Sequence, residues 1–331
     1  MASKTFANTV AVAKSTSLLN QDKLSRLLDC ETGADGLKIL AELSYGDMSI
    51  ENPYDFEILI DAEMKKHYEF ISETSPDKNA TDCFFCELDY HNLKCAFKAK
   101  YGKIKEYDKI SYSFSNIASD LLLESVENDE YKSFSKFMMK ACEEIDSAHI
   151  ANSLTPSKID YICDKQMYAE IFAKLKKVSS SALNAYYTAK LDLINIQTMI
   201  RAKVYEIDSF ELANMIFEGG SISVLKLKEQ FELAFDAFMA EYTYSPYAEI
   251  IKTLVKELSE SSSQVEFEKM RDDYLMNIFK SKKFTSVDAD LFYAYMVAKM
   301  SEFDNVRLIM VGLNNKLDKN KIKVRLKELY V

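Results

Sequence analysis

The chain has 331 residues, with 42 Lys and Arg against 52 Asp and Glu, and its formal charge of −10 disfavours phosphate backbones and hence nucleic acid as a partner. Seven glycines and four prolines among abundant Leu, Lys, Glu and Ala select long helices over turn-rich β architecture, so the expected fold class is all-α. No apolar run approaches the roughly 20 residues needed to span a bilayer, and Met1-Ala2-Ser3-Lys4 has no apolar stretch behind it of the kind a secretory leader carries.

In chain order, Leu24, Leu27 and Leu28 behind an expected cap at Asp22 predict a short amphipathic helix, and Leu37, Leu40 and Leu43 behind Asp35 predict a second. Pro53, Pro76, Pro156 and Pro246 punctuate the chain, and Gly219-Gly220-Ser221 marks a break between helices. Cysteines at 30, 83, 86, 95, 142 and 163 lie in helical patterns and are expected to be reduced and buried, not bridged. The stretch from Lys316 to Val331 is basic, with Lys319, Lys321, Lys323, Arg325 and Lys327 alternating with apolar residues. It predicts a solvated amphipathic helix, with contact to an acidic partner as the alternative.

A long internal repeat organises these segments. Asp89-Tyr90-His91-Asn92-Leu93-Lys94, Asp192-Leu193-Ile194-Asn195-Ile196-Gln197 and Glu302-Phe303-Asp304-Asn305-Val306-Arg307 share the order acid, two spacers, Asn, aliphatic, long polar. Upstream of each copy, at 28 or 29 residues, stands D-x-x-M: Asp61 with Met64, Asp164 with Met167, Asp273 with Met276. The Asn residues lie 103 and then 110 apart, so three helical repeat domains are expected, 1–110, 111–216 and 217–331. In the first copy Phe85, Leu88, Asn92, Cys95 and Ala99 step by three and four, which places the Asn on the apolar stripe. A buried amide requires partners, so each Asn is expected to bond a neighbouring backbone group or the acid three residues earlier. Ala99, Ala202 and Gly312, seven residues further on, are small enough for a close helix crossing.

Residue types that invite chemistry fail on spacing. Cys83, Cys86, His91 and Cys95 contain zinc-ligand types, but on a helix residues 83 and 95 are separated by roughly 18 Å of rise, far beyond one ion's reach. Arg271-Asp272-Asp273-Tyr274 faintly resembles the first half of the acidic motif of helical isoprenoid synthases, but Met276 stands where another Asp is required. Glycine-rich segments lack the Lys and preceding strand of a phosphate loop, and His67, His91 and His149 are scattered. No catalytic residue, metal or cofactor is expected.

The triplicated motif, and Asp89-Tyr90-His91-Asn92-Leu93-Lys94 above all, resembles the signature of the C subunit of V-type and A-type (V/A-type) rotary ATPases and ATP synthases, known as the d subunit in eukaryotes. Phe6-Ala7-Asn8 through Leu18-Leu19 to the Tyr45-Gly46 pair resembles that family's N-terminal segment, and Asn305-Val306-Arg307-Leu308-Ile309 with Ile322 to Val331 resembles its closing helices. Only Lys14 stands in the first helix, where the family often has Arg. The resemblance implies a pseudo-threefold funnel of three similar helical domains, peripheral on the cytoplasmic face of the membrane. It further implies a non-catalytic central-stalk rotor piece that receives the D and F subunits of the rotor shaft and lies on the membrane ring of proteolipid (c/K) subunits. Such a piece passes torque for ATP-linked proton or sodium transport. The competing readings are an unrelated all-helical scaffold or adaptor and, further off, a helical isoprenoid enzyme.

Overall fold

The computed structural model describes residues 2–48, 50–102, 107–112, 114–260, 263–282 and 288–330. Among them the regular structure is helical throughout. In chain order the helices are α1 (Lys4–Ser15), α2 (Gln21–Leu28), α3 (Gly33–Glu42), α4 (Glu57–Thr74), α5 (Lys78–Gly102), α6 (Tyr107–Ile110), α7 (Ser119–Glu127), α8 (Lys136–Ile150) and α9 (Pro156–Leu175). There follow α10 (Ser181–Val204), α11 (Ser209–Leu212), α12 (Val224–Phe231), α13 (Phe235–Glu241), α14 (Ala248–Glu260), α15 (Val265–Lys280), α16 (Asp290–Asn314) and α17 (Lys319–Lys323).

Local chemistry sets the helix starts. Ser3, Asn20, Thr32, Ser135, Thr155 and Ser223 sit in extended backbone and accept from the N–H three residues on, satisfying one of the orphan donors of the first turn. The caps of α2 and α3 are therefore Asn20 and Thr32, not the expected Asp22 and Asp35, which lie in the first turn where a carboxylate favours the helix dipole. Pro156 occupies the first turn of α9, where its missing N–H is no loss. At the other end of the chain the basic stretch is mostly non-helical. Only Lys319–Lys323 form a helical turn and residues 324–330 are irregular, which corrects the expected amphipathic helix.

The chain packs as two compact units. The first takes Met1–Pro76, Ser180–Tyr186 and Tyr244–Val331, and the second takes Asp77–Ser179 and Tyr187–Thr243. In the first unit α16 is the core helix. Phe292, Phe303, Val306, Ile309 and Met310 are buried along its length, and α1, α3, α4 and α15 pack on it. Ala7 and Ala11 let α1 lie close against it. In the second unit α5 and α9 form the central pair, with α7 on α5 and α8 on α9. Tyr90, Phe97, Cys163, Ile171 and, from α10, Leu191, Leu193 and Met199 fill that core. Full burial of such side chains contributes about 1.5–3 kcal/mol each.

Candidate functional site: three acid and amide clamps

Each repeat motif lies on the helix that follows its D-x-x-M helix: α5 after α4, α10 after α9, α16 after α15. Met64, Met167 and Met276 are all buried, so the hydrophobic member of each echo is a core residue. All six motif residues, Asp89, Asn92, Asp192, Asn195, Glu302 and Asn305, are buried too.

The three asparagines make the same bidentate clamp on a backbone 20 or 22 residues downstream. Asn92 donates from Nδ2 to the Tyr112 carbonyl (2.9 Å) and accepts the Tyr112 N–H at Oδ1 (2.8 Å). Asn195 treats Phe217 in the same way, at 2.8 and 2.9 Å, and Asn305 treats Lys327 at 3.1 and 2.8 Å. A primary amide presents donor and acceptor in one plane, matching the N–H and C=O of a single residue, so it does for an irregular segment what a neighbouring strand does in a sheet. The partner is thus a backbone group, not the acid three residues earlier.

The acids fasten a second backbone N–H. Asp89 accepts from the Ile117 N–H and from Asn116 Nδ2, both at 3.0 Å. Asp192 accepts from the Ser221 N–H (2.8 Å) and hydroxyl (2.5 Å). A Cβ added to Gly220 would lie 2.2 Å from Asp192 Oδ1, so glycine is required for the approach. Glu302, one methylene longer, accepts from the Leu19 N–H at 2.6 Å. Leu19, Ile117 and Ser221 each stand two or three residues before a helix, namely α2, α7 and α12. Burial pushes the Asp89 carboxyl up to about 6, against the pull of Ile117 N–H, Asn116 and Ser115.

The long polar residue two places after each Asn carries charge in two copies. Lys94 pairs with Asp164 of the D-x-x-M in α9 at 2.5 Å. Arg307 makes a fork to Glu57, at 2.7 and 3.0 Å, one turn before Asp61, whose carboxyl also feels the guanidinium. Of the three small positions, Gly312 carries a close approach: an added Cβ would sit 2.4 Å from Ile322 Cδ1. Ala202 is buried and Ala99 is half-buried.

A charge cluster in the first unit was missed from sequence. Lys299 of α16, 7% exposed, lies 2.5 Å from Glu302 and 3.0 Å from Glu63, between the rings of Tyr45 and Phe303. Glu63 also takes the Gly46 N–H at 3.0 Å and Lys66 at 3.0 Å. Burial pushes its carboxyl upward, yet Lys299, Lys66 and the Gly46 N–H outweigh that and hold it below the usual carboxylate range. Beside it His67 is buried with neither ring nitrogen in a hydrogen bond; the Met296 backbone pulls on it without meeting hydrogen-bond geometry. Its ring packs edge-on against Tyr295 and Phe303. Burial, then the Lys299 charge, lowers its pKa to about 3. The signal was available: six residues before the clamp Asn stand Cys86, Ala189 and Lys299, so one copy alone places a cation at a core position.

The other residues that suggested chemistry are engaged structurally. Cys83 donates to the Asn79 carbonyl at 3.1 Å, and its thiol is pushed up to about 12 by burial. Arg271 pairs with Asp272, Asp272 with Lys327 (2.8 Å), and Asp273 takes Lys269 and the Glu328 N–H. Among the described residues no cluster of His, Cys, Asp and Glu could hold a metal ion, and no helix is long and apolar enough to cross a membrane.

An all-helical chain built on a triplicated backbone clamp defines a class of helical repeat proteins. The chain belongs to the ATP synthase (C/AC39) subunit family, which matches residues 7–325. It is 22% identical to the C subunit of the V-type sodium ATPase of Enterococcus hirae over 321 residues, covering 95% of this chain and 94% of that protein. It is 23% identical to the C subunit of the A-type ATP synthase of Methanococcoides burtonii, covering 72% and 68%. With the C subunit of the A-type ATP synthase of Methanosphaera stadtmanae the identity is 21%, covering 92% and 82%. The family resemblance read from the motif and the termini is therefore correct.

Proposed function

We propose that this chain is the non-catalytic central-stalk component of a V/A-type ATPase, seated on the cytoplasmic face of the membrane between the D and F subunits of the rotor shaft and the proteolipid ring. It passes torque between them for ATP-linked proton or sodium transport. Family membership along residues 7–325 carries this reading.

The clamps support it mechanically. A coupling piece must resist shear, and buried hydrogen bonds to backbone at every repeat fix each motif helix to the segment entering the next repeat. Residues 112–117 and 217–221 stand at the expected borders of the 1–110, 111–216 and 217–331 domains, and Leu19 stands where the first domain begins.

The test is affinity purification of a tagged chain from gently solubilised membranes of its own cells, followed by native mass spectrometry. Recovery with D, F and a proteolipid ring is expected. Recovery alone, from an extract in which the ATPase is intact, refutes the coupling role.

A further inference from the structure

The three junctions use equivalent bonds but differ in how the chain is threaded. In the first, the Asn-bound residue Tyr112 and the acid-bound residue Ile117 lie five apart on one stretch; in the second, Phe217 and Ser221 lie four apart. In the third, Asn305 holds Lys327 and Glu302 holds Leu19, residues 308 positions apart in sequence. Two bonds on a stretch of five or six residues open together, because a released end stays within a few ångströms of its partner while the other bond holds. Bonds to separate segments have no such tether.

The segment carrying Lys327 is also thinly anchored. From residue 317 to 330 its buried side chains are Ile322, on Gly312, and Tyr330. Its ties include polar ones: the exposed pairs of Lys319 with the Asp29 carbonyl (2.7 Å) and Glu31 (2.8 Å) and of Glu328 with Lys280 (2.5 Å), the Glu328 N–H to Asp273 (2.7 Å), and the half-buried pairs of Lys327 with Asp304 (2.6 Å) and Asp272 (2.8 Å). The Leu19 segment, by contrast, has Leu18, Leu19, Leu24 and Leu27 buried around it. Segments with few apolar contacts and solvent-exposed ties are those that open below the global unfolding free energy.

We propose that residues 317–330 are a strap that releases from Asn305 as a unit while Glu302 keeps its hold on Leu19, so that the third junction loosens where the first two cannot. The strap rests on the clamp geometry and not on the coupling role, so its failure would leave that role untouched.

Native-state hydrogen exchange on the full chain tests it by comparing the six clamped amides. In the unaltered chain, Lys327 should exchange at least about tenfold faster than Leu19, while Tyr112 matches Ile117 and Phe217 matches Ser221. In Asn305→Leu, Lys327 exchange should rise with Leu19 unchanged; in Asn92→Leu, Tyr112 and Ile117 should rise together. Equal protection of Lys327 and Leu19 in the unaltered chain overturns the strap even if neither variant folds. So does a rise at Leu19 matching that at Lys327 in Asn305→Leu.

Discussion

At the residue scale the clamp asparagines illustrate how one amide can matter more than its own burial. Asn195→Leu fills similar space, yet leaves the N–H and carbonyl of Phe217 without their partner in a site where both Asn195 and Phe217 are buried. Each stranded backbone group costs about 1–3 kcal/mol, so a loss of about 3 kcal/mol is expected in urea denaturation. An unchanged midpoint would show that water reaches the site. His67 predicts a pH effect. Its folded pKa of about 3 lies below the unfolded value of 6.5, so the unfolded chain binds the proton and stability falls as pH drops from 6.5 toward 3. Asp89 works in the opposite sense: its folded carboxyl titrates near 6, above the unfolded value, so its contribution is present below 3.8 and is lost as pH rises through 6. Only the difference between His67→Phe and the parent isolates the histidine. That difference in unfolding free energy should grow by up to about 1.4 kcal/mol per pH unit between pH 6 and 5; parallel pH profiles would mean that His67 titrates normally.

At the element scale a chain poor in glycine must end its helices with other residues. Glu206 and Lys316 each stand eleven places after a clamp Asn in left-handed backbone, φ 55° and 54°. The 6→1 bonds Ile207 N–H to Ala202 carbonyl (2.8 Å) and Leu317 N–H to Gly312 carbonyl (2.9 Å) close the two helices. A non-glycine residue there costs roughly 1–2 kcal/mol, part of which glycine returns through the unfolded chain's entropy. Glu206→Gly is therefore expected to raise the denaturation midpoint, a gain of about 0.5–1 kcal/mol in stability. A lower midpoint would show that the Glu206 side chain contributes more than its backbone costs. The converse holds at Gly220, where the Asp192 carboxylate occupies the space of a Cβ. Gly220→Ala should cost about 1–3 kcal/mol through overpacking, read as a lower thermal midpoint.

At the scale of the whole molecule the first unit is discontinuous in sequence. Its core helix α16 comes from residues 290–314, whereas α1, α3 and α4, which pack on it, come from residues 4–74. A chain cut after residue 243 loses more than the helices deleted. Residues 4–74 lose the surface that buries Ala7, Leu40 and Ile60, and should become sensitive to protease while much of 77–243 resists. Equal resistance along both segments would show that the N-terminal helices hold together without α16.

Much of this was written in the chain. Composition selected helices, and the spacing of acid, Asn and D-x-x-M exposed the triplication, because those side chains are constrained by what they must bond. Family membership followed from the motif and both termini. Sequence could not name the clamped residues. The clamp grips N–H and C=O groups, which every residue except proline possesses, so Tyr112, Phe217 and Lys327 carry no common signature. Nor could it show Lys299 buried beside two carboxylates, since a Lys reads as solvent-facing until the partners that neutralise it, 236 positions away at Glu63 and three at Glu302, are brought together by packing. Local spacing fixed which side chains are special; only the tertiary fold decided which distant backbone each one holds, because a backbone partner leaves no trace in residue type.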